Sequence, residues 1–244
     1  MNVAKLPELR AAVARVRGDD TPWPVSVVAP DAAAATSVLR APDDANVRID
    51  SVEVRATNPA DVLLLSRAAP KTREVYVEIP LDATAPALLD ALVDVKLRAK
   101  IRTGGVTSGA FPPASEIVTF IRACIERNLP FKATAGLHHP LRGSYRLTYD
   151  GSSPSGEMYG YLNVFLAAAF LQQGLPDKEA AELLVETDPA AITVEDKAIR
   201  WRDHSVDVEA IKTLRARIAT SFGSCSFREP VDELPYPVSP QAPV

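Results

Sequence analysis

From Val25 onward, short β-branched runs alternate with helical segments, and this alternation restricts the chain to a small group of folds. The runs occupy residues 25–29, 47–54, 74–79, 99–103 and 131–134. Strands that alternate with helices are joined by right-handed crossovers, so they lie parallel in a sheet that the helices cover. The intervening segments fit that role. Ile117, Phe120, Ile121, Cys124 and Ile125 make one apolar stripe, stopped by Asn128-Leu129-Pro130. Behind Pro86, Leu88, Leu89, Leu92, Val93 and Val95 make another. A further helix over residues 3–17 precedes the first strand.

After Pro140 the rhythm changes. Residues 145–149 read as a sixth strand, residues 150–156 as a turn-rich loop and residues 159–173 as a long helix. A second helix is expected over 177–186, with Asp177 as its cap. A hairpin or two short strands follow at 192–201, then a last helix at 208–218. The expected fold is therefore α/β, a TIM-like or incomplete parallel (β/α) barrel with added helices in the C-terminal half. It forms a single domain over residues 1–227, and the Pro-rich residues 228–244 are extended or disordered. At 244 residues with 47% apolar content, the chain is long enough to bury such a core.

Composition narrows the function classes. The net charge of −4 is spread with both signs interleaved, which leaves no basic stripe for nucleic acid. The longest apolar stretch, residues 161–171, is about half of the roughly 20 residues that cross a bilayer, so it reads as a buried helix and no membrane association is expected. Lys5, Glu8, Arg10, Arg15 and Arg17 interrupt the N-terminus, against a secretory leader. Cys124 and Cys225 form no metal or disulfide pattern, and a reducing cytoplasm fits them. Cys124 belongs to a core stripe. Cys225 is either a small buried thiol or a nucleophile beside His138.

Strand parity points to a site. Tyr76 and Glu78 share one face of their strand, Lys100 and Arg102 share one face of theirs, and Lys132 and Thr134 share a third. The opposite parity is apolar and suits the covering helices, so the charged set is expected to face inward. Burying cations without partners or a role costs several kcal/mol, which favours function there. At the strand ends, Thr103-Gly104-Gly105 and Thr134-Ala135-Gly136 have the composition of anion-binding turns, reinforced by Lys100 and Arg102. The bland alternative is turn glycines with lysines paired to Glu78. Lys132 is the candidate base or imine-forming amine, against anion binding or an ion pair, and Glu78 is its proton partner. His138 and His139 follow the last of these strands, where His138 suits proton transfer and His139 substrate binding; a divalent metal held by Glu78, His138 and His139 is the alternative.

The runs at residues 100–105, 132–139 and 222–227 resemble those of an uncharacterised bacterial protein family with no established activity. More loosely, a strand lysine followed by a small-residue anion turn is similar to class I aldolase-like and phosphate-binding TIM barrels. That resemblance implies a lyase or isomerase acting on a small anionic carbonyl compound, carboxylate or phosphate. No cofactor is expected in the first reading. A non-catalytic small-anion-binding domain is the reading from a different class, and the helices within residues 159–186 offer a face for a second copy of the chain.

Overall fold

The computed structural model describes residues 1–16, 21–225 and 228–234. Its chain divides into two compact units, residues 1–101 with 129–131, and residues 102–128 with 132–244.

The first unit carries α1 (Leu6–Val16), β1 (Trp23–Val28), α2 (Ala32–Arg40), β2 (Val47–Arg55), α3 (Pro59–Ala68), β3 (Glu74–Glu78), α4 (Ala85–Val95) and β4 (Arg98–Arg102), whose last residue belongs to the second unit. Neighbouring strands pair in parallel, with Val54 opposite Val77 and Glu78 opposite Lys100. Capping sets the helix starts: the Asp31 and Asn58 side chains accept from Ala34 N and Asp61 N. Lys96, at φ 59, turns the chain out of α4.

The second unit holds α5 (Ala114–Glu126), β5 (Phe131–Thr134, whose first residue belongs to the first unit), β6 (Gly143–Arg146), β7 (Ser155–Met158), α6 (Tyr161–Gln172), α7 (Asp177–Leu184), β8 (Ile192–Val194), β9 (Ala198–Trp201), β10 (His204–Asp207), α8 (Val208–Arg217), β11 (Ala219–Gly223) and α9 (Glu229–Asp232). Ile117, Phe120, Ile121 and Cys124 of the α5 stripe are buried as expected while Ile125 is half-buried, and Asn128 takes φ 49 at the stop. Burial pushes the Cys124 thiol pKa up, as an apolar core does to an unpartnered thiol. The apolar run of α6 is buried on every side and packs against α5, α7 and α8.

The strand order β1-β2-β3-β4-β5-β11 gives a six-stranded parallel sheet with open edges, an incomplete parallel barrel of the α/β class. Four expectations change in detail. Residues 143–146 form β6, which pairs with β7 in a separate hairpin, and the sixth strand of the sheet is β11. Its Ala-Thr-Ser-Phe-Gly sequence has too little apolar alternation to announce a strand. Asp177 does not cap α7: Pro176 holds that position, and the Asp177 carboxylate instead accepts from Arg122 of α5. Residues 192–207 make a three-stranded antiparallel sheet, β10-β9-β8. The segment from residue 228, expected to be extended or disordered, begins with the single turn α9 and a buried Pro230; residues 235–244 lie outside the described residues. No helix among the described residues is long and apolar enough to cross a membrane.

Candidate functional site

Within the first unit, parity brings Glu78 and Lys100 together as the alternation requires. The Lys100 ammonium lies 3.1 Å from Glu78 Oε2 and 3.0 Å from Glu53 Oε2 on β2, and its side chain is only 6% exposed. Ser26 of β1 donates to Glu53 Oε1 at 2.9 Å, which extends the polar row across four strands. Glu53 and Ser26 are additions that sequence reading missed. Their signal was a carboxylate inside the run Ser51-Val52-Glu53-Val54. The Lys100 ammonium is thus engaged by two carboxylates, and its place is in this row.

In the second unit, the glycine turns have a different use from the one expected. A Cβ on Gly104 would stand 2.4 Å from Phe111 Cε1, and one on Gly136, at φ +75, would stand 3.0 Å from the same atom. Gly105 meets Ala110 in the same way at 2.7 Å. The close approach that these glycines permit is taken by the Phe111 ring and Ala110. The fully buried Thr103 hydroxyl donates to the carbonyls of Thr134 and Ala135, at 3.2 and 2.8 Å. It locks the ends of β4 and β5 together. Arg102 is exposed, so the inward-facing expectation does not hold for it. Lys132 is half-buried, with Gly223 of β11 packed against its Cε and against the Thr134 side chain.

One cavity of the second unit lies where the chain leaves β5 and β11, the carboxyl ends at which α/β sheets present their binding loops. Its volume is about 440 Å³, and His138, His139 and Cys225 line it together with Tyr145, Tyr149 and Glu229. His138 Nδ1 lies 3.0 Å from Ser224 Oγ and 3.9 Å from Glu229 Oε2. Tyr149 donates to the same Glu229 oxygen at 2.8 Å. His139 Nδ1 lies 2.6 Å from Glu233 Oε2, and its ring stacks on Tyr145 with centroids 3.4 Å apart. Glu229 of helix α9 and its C-cap residue Glu233 thus face the two histidines, and Tyr161 adds a hydrogen bond to the Pro230 carbonyl.

Burial holds the His138 pKa below its ordinary 6.5, outweighing the upward pull of Glu229, so the imidazole is neutral at pH 7. With a carboxylate on the Nδ1 side, the favoured tautomer carries its proton there and leaves Nε2 as the lone-pair nitrogen. Burial likewise raises the Tyr145 hydroxyl, with Glu233 and Glu157 adding to it, so this phenol stays protonated. Cys225 is exposed and shares the cavity with His138, but the hydroxyl of its neighbour Ser224 makes the imidazole contact. The Ser224 hydroxyl and the more distant Glu229 carboxylate both face Nδ1, which differs from a nucleophile–His–acid relay, where nucleophile and orienter use opposite ring nitrogens. Among the described residues, no group of three His, Cys, Asp or Glu side chains is placed to hold a metal ion. Sequence reading found His138 and His139 but missed Tyr145, Tyr149, Glu229 and Glu233, which come from the hairpin and from the segment taken for a tail.

No family model, curated protein or solved structure matches this chain.

Proposed function

We propose that this protein is a proton-transfer enzyme, a lyase or isomerase acting on a small carbonyl compound bearing an anionic group, with His138 as the base. One observation carries the reading. A neutral imidazole, anchored through Nδ1 to Ser224, lines a ligand-sized cavity at the carboxyl ends of β5 and β11. His138 Nε2 takes the proton next to the substrate carbonyl, and Glu229, 3.9 Å from Nδ1, stabilises the imidazolium that forms. The Tyr149 hydroxyl holds Glu229 in place for that task. Imine formation at Lys132 has less support, because Lys132 is not among the residues that line the cavity.

The test is deuterium exchange. In D2O, a panel of small 2-oxo acids, aldehydes and sugar phosphates is followed by proton NMR for loss of signal at the carbon next to the carbonyl. The wild-type protein should accelerate exchange of at least one compound above the buffer rate, and His138→Gln should slow it about 100-fold, within the usual contribution of a positioned base. Exchange that proceeds equally well in His138→Gln removes this reading. Exchange lost in Lys132→Met but kept in His138→Gln would favour the lysine.

A further inference from the structure

The wall of the cavity is aromatic and rigid. Tyr145 and His139 lie nearly parallel, at 10°, and Tyr149 stands edge-on to His138 with centroids 6.5 Å apart. Tyr149 is pinned at its hydroxyl by Glu229, yet the residue is 69% exposed, and so is Val106 on the same rim. Large apolar side chains left open together at one cavity are surface that a ligand covers. A fixed aromatic wall favours an aromatic partner, which gains stacking or edge-to-face contact beyond its buried area.

Charge supplies the second constraint. Among the described residues that line the cavity, Arg146 on β6 is the one cation besides the histidines, and it has no ion pair with a described residue. The Glu229 carboxylate accepts from Tyr149 and faces His138, so it is already engaged. A guanidinium fork at the rim matches the two oxygens of a carboxylate. The volume of about 440 Å³ accommodates a single ring with a short acidic side chain.

From these features we infer that the ligand is an aryl-substituted 2-oxo acid, with its ring against Tyr149 and the Tyr145–His139 pair and its carboxylate on Arg146. This rests on the reading of the cavity as the site of a small carbonyl compound, and it assigns that compound a class. In this pose the carbon next to the carbonyl, which carries the exchangeable proton, lies between ring and acid on the His138 side.

The experiment is ligand-observed NMR on the full-length protein with three probes: phenylpyruvate, pyruvate, and the uncharged 1-phenylpropan-2-one. Phenylpyruvate should bind at least about tenfold more tightly than pyruvate, which lacks the ring. Arg146→Met, an exposed hairpin position expected to leave the unfolding midpoint unchanged, should weaken phenylpyruvate about tenfold and leave 1-phenylpropan-2-one unaffected. Equal binding of pyruvate, no response to Arg146→Met, or no binding of phenylpyruvate overturns the assignment. Binding is read without turnover, so tight phenylpyruvate binding with no His138-dependent exchange would count against the proton-transfer reading and leave the ligand class standing.

Discussion

Lys100→Met should lower the stability of the fold by about 3–5 kcal/mol, the usual result of removing one partner from a buried ion pair. Lys100 is 4% exposed and Glu53 5%, and the ammonium meets Glu53 and Glu78 at 3.0 and 3.1 Å. Methionine fills the space of the lysine stem but takes the ammonium away from the carboxylates of Glu53 on β2 and Glu78 on β3. Desolvation of the charges, more than loss of their attraction, sets the size of the effect. Replacing all three together, Glu53→Gln, Glu78→Gln and Lys100→Met, should therefore recover most of the loss. Denaturant unfolding of the wild type and the two variants measures both values. A loss below about 1 kcal/mol in the single variant would mean that water reaches the row.

Asn163→Leu should cost a similar amount, about 3–5 kcal/mol, from three unsatisfied backbone groups at about 1–3 kcal/mol each before relaxation. Asn163 is fully buried on α6. Its Oδ1 accepts from Arg142 N at 2.9 Å, while its Nδ2 donates to the carbonyls of Leu183 and Glu186 at 2.8 and 2.9 Å. One amide therefore closes the C-terminal end of α7 and fixes the loop that leads from His139 into β6. Leucine keeps the bulk and removes every bond. Thermal unfolding and amide exchange together check it: the midpoint should fall, and the Arg142 amide should lose protection. A variant of wild-type stability would show that those carbonyls find other donors.

The alternation that announced a parallel α/β sheet also foretold that Glu78 and Lys100 share a face, because side chains two residues apart on a strand cannot do otherwise. Glu53 escaped the same count for a specific reason. The register between β1 and β2 shifts where Val25 pairs with Ile49 but Ser26 pairs with Ser51, a bulge on β2. Simple alternation puts Glu53 on the face of Val47 and Ile49; the extra residue reverses that face, and Val52 and Val54 continue the apolar side while Glu53 turns to Lys100. The glycine turns were legible as places of close approach, but a sequence does not say what approaches, and Phe111, six or seven residues beyond Gly104 and Gly105, comes from the chain itself. The histidines stood out by rarity, three in the whole chain. Their partners did not, since Glu229 and Glu233 lie more than 90 residues downstream in a stretch whose prolines suggested no structure.

The pH behaviour of His138 follows from its depressed pKa. The unfolded chain takes up the proton more readily than the folded one, so its contribution to stability is full above 6.5 and declines as pH falls through that value toward the folded one. The same depression keeps the base unprotonated at neutral pH. The central claim therefore has a direct test in 15N NMR titration of histidine-labelled protein, with His138→Gln to assign the signal among three imidazoles. The result expected is a midpoint below 6.5 and, in the neutral form, the tautomer protonated at Nδ1. A midpoint at or above 6.5, or a neutral ring protonated at Nε2, would contradict His138 as the base of this site.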